Sequence, residues 1–150
     1  MRARRSCLSV PARPSRKLEK AASLEPDEIV IDLEDSVPTA LKAEARNAVA
    51  DPLARGEFAA ASVSVRVNGV GTPWFEDDLR AVANAGERLA SVIVPKVESR
   101  GDLASAEALL AEAGRNRPIR LQALIESAKG LRDVNEIATS GGALEASTVR

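Results

Sequence analysis

Glu28-Ile29-Val30-Ile31-Asp32-Leu33-Glu34-Asp35 sorts by parity into two faces. Ile29, Ile31 and Leu33 make one, and Val30, Asp32 and Glu34 make the other. Side chains alternate across a strand, so the run reads as a buried strand that is apolar on one side and charged towards its end on the other. The pattern recurs in Ser62–Asn68, where Val63, Val65 and Val67 oppose Ser62, Ser64, Arg66 and Asn68. In Arg120–Ser127, Leu121, Ala123 and Ile125 oppose Gln122, Leu124 and Glu126. Ser6–Ala12 and Ser91–Val97 have the same length and the same Val, Ile and Leu richness, so they are strand candidates as well.

Between these runs the apolar period becomes helical. Leu41, Ala45, Ala48, Val49 and Leu53 share a face after Pro38-Thr39, and Phe75, Leu79, Val82 and Ala83 do so after Thr72-Pro73. Leu103, Ala106, Leu110 and Ala113 form a third stripe, and Leu131, Val134, Ile137 and Ala138 a fourth. A shorter helix is expected from Pro14-Ser15 through Leu24. Gly56, Gly86, Gly114 and Gly141 fall near helix ends, where glycine closes a helix in the left-handed conformation. Regular βα alternation means parallel strands covered by helices, in one domain spanning residues 1–150. A doubly wound nucleotide-binding sheet needs a glycine-rich first turn, but Pro11-Ala12-Arg13-Pro14 has none. Gly69-Val70-Gly71 lacks a third glycine and reads as a turn into a helix. The expected fold is therefore an α/β, incomplete (β/α)8 TIM barrel of five βα units with a candidate sixth strand; full barrels take about 250 residues.

Composition narrows the chemistry. The 150 residues carry a formal charge of -1, so no global positive field argues for nucleic acid, and Arg2, Arg4 and Arg5 read as a solvated terminus. No apolar run approaches the roughly 20 residues that span a bilayer, so no membrane partner is expected and the cytosol is the default compartment. There is no histidine, which removes imidazole bases and ligands together. The single Cys7 reads as a buried, inert thiol. Carboxylates, Arg, Lys, hydroxyls or an oxygen-ligated metal must do any chemistry.

Parity directs the polar sets into the barrel, with Glu34, Arg66, Asn68 and Glu126 near the C-terminal strand ends and Lys96 at the end of the fourth strand. Barrel active sites lie at that face. Burying unpaired charge costs several kcal/mol, so charge at three inward strand ends calls for a function or for internal salt bridges such as Arg66 with Glu34. Lys96 fits a solvated or ion-paired rim as well as a functional one. Asp32 sits deeper and reads as a brace. With Asp32, Glu34 and Asp35 in four residues, hard oxygen ligands point to Mg²⁺ or a similar ion, although Asp35-Ser36 also suits a simple turn.

On these residues the sequence resembles the citrate lyase β-subunit (CitE-like) family of HpcH/HpaI-type aldolases. The motifs are Leu8-Ser9-Val10-Pro11 with Arg13, Ile31-Asp32-Leu33-Glu34-Asp35-Ser36-Val37-Pro38, Val65-Arg66-Val67-Asn68 with Gly71-Thr72-Pro73-Trp74, Val94-Pro95-Lys96-Val97-Glu98-Ser99, and Ala123-Leu124-Ile125-Glu126-Ser127-Ala128. Together they run from about Arg5 to Gly142 in the family's order. The resemblance implies a (β/α)8 barrel, commonly a homotrimer, that uses Mg²⁺ to cleave or form carbon–carbon bonds in β-hydroxyacyl thioesters of coenzyme A or acyl carrier protein. It implies that Arg66 binds the substrate carboxylate or keto oxygen and that Glu126 ligates Mg²⁺ beside the substrate. Glu34 and Asp35 would line the metal's water shell and move protons. Lys96 and Arg13 would be further substrate-binding residues, Arg13 near the entrance for the thioester carrier.

Ala12 replaces the family's usual glycine. The family's second metal carboxylate lies in a Phe-Gly-x-x-Asp-type segment after the sixth strand, which Ala143-Leu144-Glu145-Ala146 resembles at its start. Without that aspartate, poor activity is expected of this chain alone. A non-catalytic remnant or interaction module, and a 2-oxo-acid aldolase acting on free acids, are the alternative readings.

Overall fold

The computed structural model describes residues 4–85, 88–112, 119–140, 142 and 144–149. Its elements alternate throughout. Strand β1 (Cys7–Pro11) is followed by α1 (Ser15–Ala22), and β2 (Glu28–Asp32) by α2 (Lys42–Arg55). Then come β3 (Ser62–Arg66) with α3 (Phe75–Ala83), β4 (Leu89–Val94) with α4 (Arg100–Glu112), and β5 (Arg120–Ile125) with the short α5 (Ala128–Arg132) and α6 (Val134–Ala138). Strand β6 (Leu144–Val149) pairs with β5, so the expected sixth strand is present. Ala113, Gly86, Gly114, Gly141 and Ala143 lie outside the described residues.

All five pairings are parallel, and the strand order is β1-β2-β3-β4-β5-β6. A doubly wound sheet reverses its order at a switch point; this one never does. Right-handed crossovers then put every helix on one face, and the other face becomes a barrel lumen. Ile29, Ile31, Val63, Val65, Leu121, Ala123 and Ile125 are almost fully buried with the apolar faces of the helices. Each of the Val, Leu and Ile side chains stabilises the fold by about 1.5–3 kcal/mol. The opposite face carries Val30, Arg66, Ile93, Gln122 and Leu124 around a cavity of about 360 Å³. Within the paired strands parity assigned these faces correctly.

Strands β2 to β5 end two or three residues before the apolar runs do. Glu34, Asn68, Lys96 and Glu126 therefore stand in the loops at the C-terminal rim. Asn68 does not face the lumen as expected: its amide donates to Asp78 of α3 and to the Leu33 carbonyl. Leu41 is exposed, and Lys42, three residues ahead of Ala45 on the same stripe, is buried instead. The single helix expected over Leu131–Ala138 is broken at Asp133, leaving Leu131 exposed. Cys7, read as buried, is exposed on edge strand β1. Arg4 is not simply solvated either, because it reaches the buried Glu28. Gly56 ends α2 with φ of 68°, as the left-handed cap requires. Among the described residues no helix is long and apolar enough to cross a membrane.

Candidate active site

Register builds the centre of the site. Asp32 and Arg66 are direct partners across β2 and β3. Arg66 Nε and Nη2 donate to the two Asp32 oxygens at 2.8 and 2.7 Å, a bidentate clasp. Asp32 also accepts the Glu34 and Ser36 amides, so it closes the turn after its own strand. Burial pushes the Asp32 carboxyl up, but hydrogen bonds from Arg66, Ser36 and Glu34 outweigh it and hold the group below its ordinary value. Asp32 is the brace the sequence suggested. The clasp, opposed by desolvation, raises the pKa of Arg66.

The third nitrogen of Arg66 has a different environment. Nη1 faces Glu34 Oε2 at 3.1 Å and Asp35 Oδ2 at 3.8 Å. Yet among the described residues Nη1 and Glu34 Oε2 are both buried without a hydrogen-bond partner, because their geometry is that of an ion pair only. Glu34 Oε1 accepts from Lys96, whose ammonium also reaches Asp35 at 3.4 Å. The bond to Glu34 raises the pKa of Lys96. The Lys96 backbone is left-handed, with φ of 53°, a conformation that disfavours any residue bearing a Cβ. Such strain costs on the order of 1–3 kcal/mol and clusters at functional sites.

Glu126 follows β5 at the same rim, and its Oε1 is buried without a hydrogen-bond partner among the described residues. The loops around it are fixed. Ser127 donates to Glu98 at 2.7 Å and caps α5 by accepting the Gly130 amide. A Cβ on Gly130 would collide with the Val97 carbonyl, so only glycine lets α5 approach the end of β4 this closely. Among the described residues no group of three or more Asp, Glu, His or Cys side chains is arranged to hold a metal. The donor set nevertheless fits a hard cation at one position, since Glu126 offers an unspent carboxylate oxygen.

The structure thus brings Arg66, Glu34, Asp35 and Lys96 together. It does not bring Arg13 to them: its guanidinium pairs with Glu44 of α2. Glu34, Asp35 and Lys96 also line a rim cavity of about 480 Å³ with Lys42, Asn68 and Trp74. Lys42 and Asp78 were not anticipated as parts of the site. Lys42 could have been found from its place on the stripe of Ala45, Val49 and Leu53, whereas nothing in the sequence singles out Asp78.

The sequence profile of the family described as HpcH/HpaI aldolase/citrate lyase matches residues 5–146. The chain belongs to this family. An L-malyl-CoA/beta-methylmalyl-CoA lyase of Cereibacter sphaeroides is 36% identical to this HpcH/HpaI chain over 152 residues, covering 91% of it and 48% of the relative. A (3S)-malyl-CoA thioesterase of the same species is 36% identical over 134 residues, covering 89% and 44%. Among solved structures, the protein CitE from Mycobacterium tuberculosis in complex with magnesium and pyruvate has a TM-score of 0.73 at 31% identity. That match covers 98% of this chain and 54% of CitE. A citrate lyase from Burkholderia xenovorans LB400 reaches a TM-score of 0.82, covering 97% and 48%; at 24% identity it speaks for the fold alone. The chain spans about half the length of the curated relatives it matches.

Proposed function

We propose that this chain carries the substrate-anchoring part of a carbon–carbon lyase acting on β-hydroxyacyl-CoA thioesters of the malyl or methylmalyl kind. One observation supports the reading above the others. Asp32 holds two nitrogens of Arg66, and the third is buried, ion-paired with Glu34 but without a hydrogen bond among the described residues. A buried donor without a hydrogen bond is not fully satisfied, and an anionic substrate oxygen would supply the missing bond.

In the cleavage direction the substrate hydroxyl loses its proton and its carbon becomes the carbonyl of an oxo acid. The electron pair of the broken carbon–carbon bond passes to the carbon next to the thioester, which is then protonated to the acyl-CoA. Arg66 Nη1 would donate to the oxygens that become those of the oxo acid, favouring the alkoxide that forms as the hydroxyl loses its proton. Glu34, with Asp35 beside it, would take the hydroxyl proton. Lys96 would keep Glu34 facing the substrate, and Arg13 would meet the thioester carrier from outside the cluster. Glu126 would hold Mg²⁺, which when bound supplies Lewis-acid polarisation of the carbonyl.

The thioesterase relative, equally similar, supports a second reading in which the same anchored thioester is hydrolysed. Malyl-CoA incubated with the chain and Mg²⁺ separates the two. Oxo acid and acyl-CoA appearing together, slowly, and abolished by Glu126→Gln, is the expected result. Free CoA with intact malate would replace the lyase by the thioesterase. Turnover of free hydroxy acids alone would replace it by the aldolase. No turnover and no calorimetric Mg²⁺ binding at millimolar metal would leave an interaction module.

A further inference from the structure

Lys42 is buried, yet among the described residues no carboxylate lies within ion-pairing distance of its ammonium. Burial accordingly lowers its pKa. A cation here is costly, since neighbouring positions on the same stripe, Ala45, Val49 and Leu53, are apolar. What the ammonium does is donate to two successive main-chain carbonyls, Leu33 at 2.9 Å and Glu34 at 2.6 Å. It also lies 5.6 Å from the centre of the Trp74 ring, within cation–π range.

Glu34 is therefore anchored at both of its backbone polar groups. Its amide donates to Asp32 and its carbonyl accepts from Lys42. Leu33 is held the same way, its amide on the Arg66 carbonyl and its carbonyl between Lys42 and Asn68. Asn68 is itself fixed by Asp78, which Arg46 of α2 grips at 2.8 Å. Helices α2 and α3 thus reach over the rim and set the backbone from which the Glu34 carboxylate projects.

We propose that Lys42 is a positioning residue: by clamping the Leu33 and Glu34 carbonyls it sets the Glu34 carboxylate between Arg66 and Lys96. It acts through Glu34 and touches no substrate. The kinetic arm of its test rests on the lyase reading; the spectroscopic arm does not.

Lys42→Met is compared with Val49→Ala, which loosens the same helix without touching the clamp. In wild type, nitrogen-15 NMR should show a slowly exchanging ammonium signal from Lys96, held by Glu34. The signal should persist in Val49→Ala and vanish in Lys42→Met. In the thioester assay kcat should fall by at least about tenfold in Lys42→Met with KM within about threefold, since a displaced catalytic group loses rate before binding. Lys42→Gln, which keeps one donor, should be intermediate, and it decides the matter if Lys42→Met does not fold. A Lys96 signal that survives in the Lys42 variants, or that is lost equally in Val49→Ala, overturns the proposal. An unchanged kcat overturns it too. If wild type turns nothing over, the lyase reading fails and the Lys96 signal alone decides the clamp.

Discussion

The same four strands carry two polar layers, one at the floor of the barrel and one at its rim. At the floor, Glu28 of β2, Ser64 of β3, Ser91 of β4 and Gln122 of β5 bond to one another. Ser64 and Gln122 donate to Glu28 Oε1, Ser64 and Ser91 lie 2.7 Å apart, and Gln122 donates to Ser91 at 2.7 Å. None of these four leaves a buried polar atom without a partner. Further along the strands, two residues past Ser64, four past Gln122 and six past Glu28, stand the rim's Arg66 Nη1, Glu126 Oε1 and Glu34 Oε2. Among the described residues all three are buried without a hydrogen bond, Nη1 and Oε2 meeting only as an ion pair at 3.1 Å. Glu34 and Arg66 are as buried as the floor residues, so exposure alone does not separate the layers; saturation does. A layer whose groups are spent on each other is complete as architecture. One that keeps donors and acceptors unspent in a dry place is arranged for something outside the chain.

The largest way to break this comparison is at Arg66. Arg66→Met strands Asp32 as a buried carboxylate without its counter-ion, and removing one partner of such a pair costs about 3–5 kcal/mol. Urea unfolding should show that loss, with no substrate anchoring left. A loss under about 1 kcal/mol would mean that the clasp behaves as a solvated surface pair, and that rim and floor differ less than their hydrogen bonds suggest.

Much of this contrast was readable beforehand, and the limits are instructive. The faces of β2, β3 and β5 followed from parity because branched apolar residues alternate with polar ones without a break. Arg66 facing Asp32 follows once the two strands pair in register. Strand ends were not readable: Leu33 and Val67 continue the apolar alternation after the paired strands have stopped. Asn68 was misread for that reason, since beyond the last ladder residue the chain turns and parity no longer fixes a side chain's direction. Lys96 gives no sign of its left-handed backbone, which glycine or asparagine would have announced. Lys42 was hidden by the expectation that a buried stripe is apolar.

Acid sharpens the comparison by a smaller effect. The folded pKa of Asp32 lies below its ordinary value of 3.8, so its stabilisation is complete above that value and is lost as pH falls through the lower, folded one. Wild-type stability should therefore go on declining below pH 3.8 as the clasp is protonated. In Arg66→Met the strongest cause of the depression is gone while desolvation remains, so the share of the acid decline that Asp32 contributes should shrink or vanish. Urea midpoints followed from neutral pH into acid decide this; identical acid limbs in the two proteins would show that Arg66 does not hold Asp32 ionised.

The smallest expected effect tests the floor. Ser91→Ala removes one hydroxyl that Gln122 and Ser64 both use, but Glu28 Oε1 continues to accept from each of them. The network contracts without stranding a charge, so the cost should stay near that of a single hydrogen bond, about 1 kcal/mol. Mg²⁺ binding and any thioester turnover should be untouched, because the hydroxyl is spent on Ser64 and Gln122 within the floor network. A stability loss with unchanged chemistry at Ser91, set against lost chemistry at Glu126, would separate the layers by role. Lost turnover at Ser91 without lost stability would instead make the floor part of the site, and saturation would no longer tell architecture from function in this barrel.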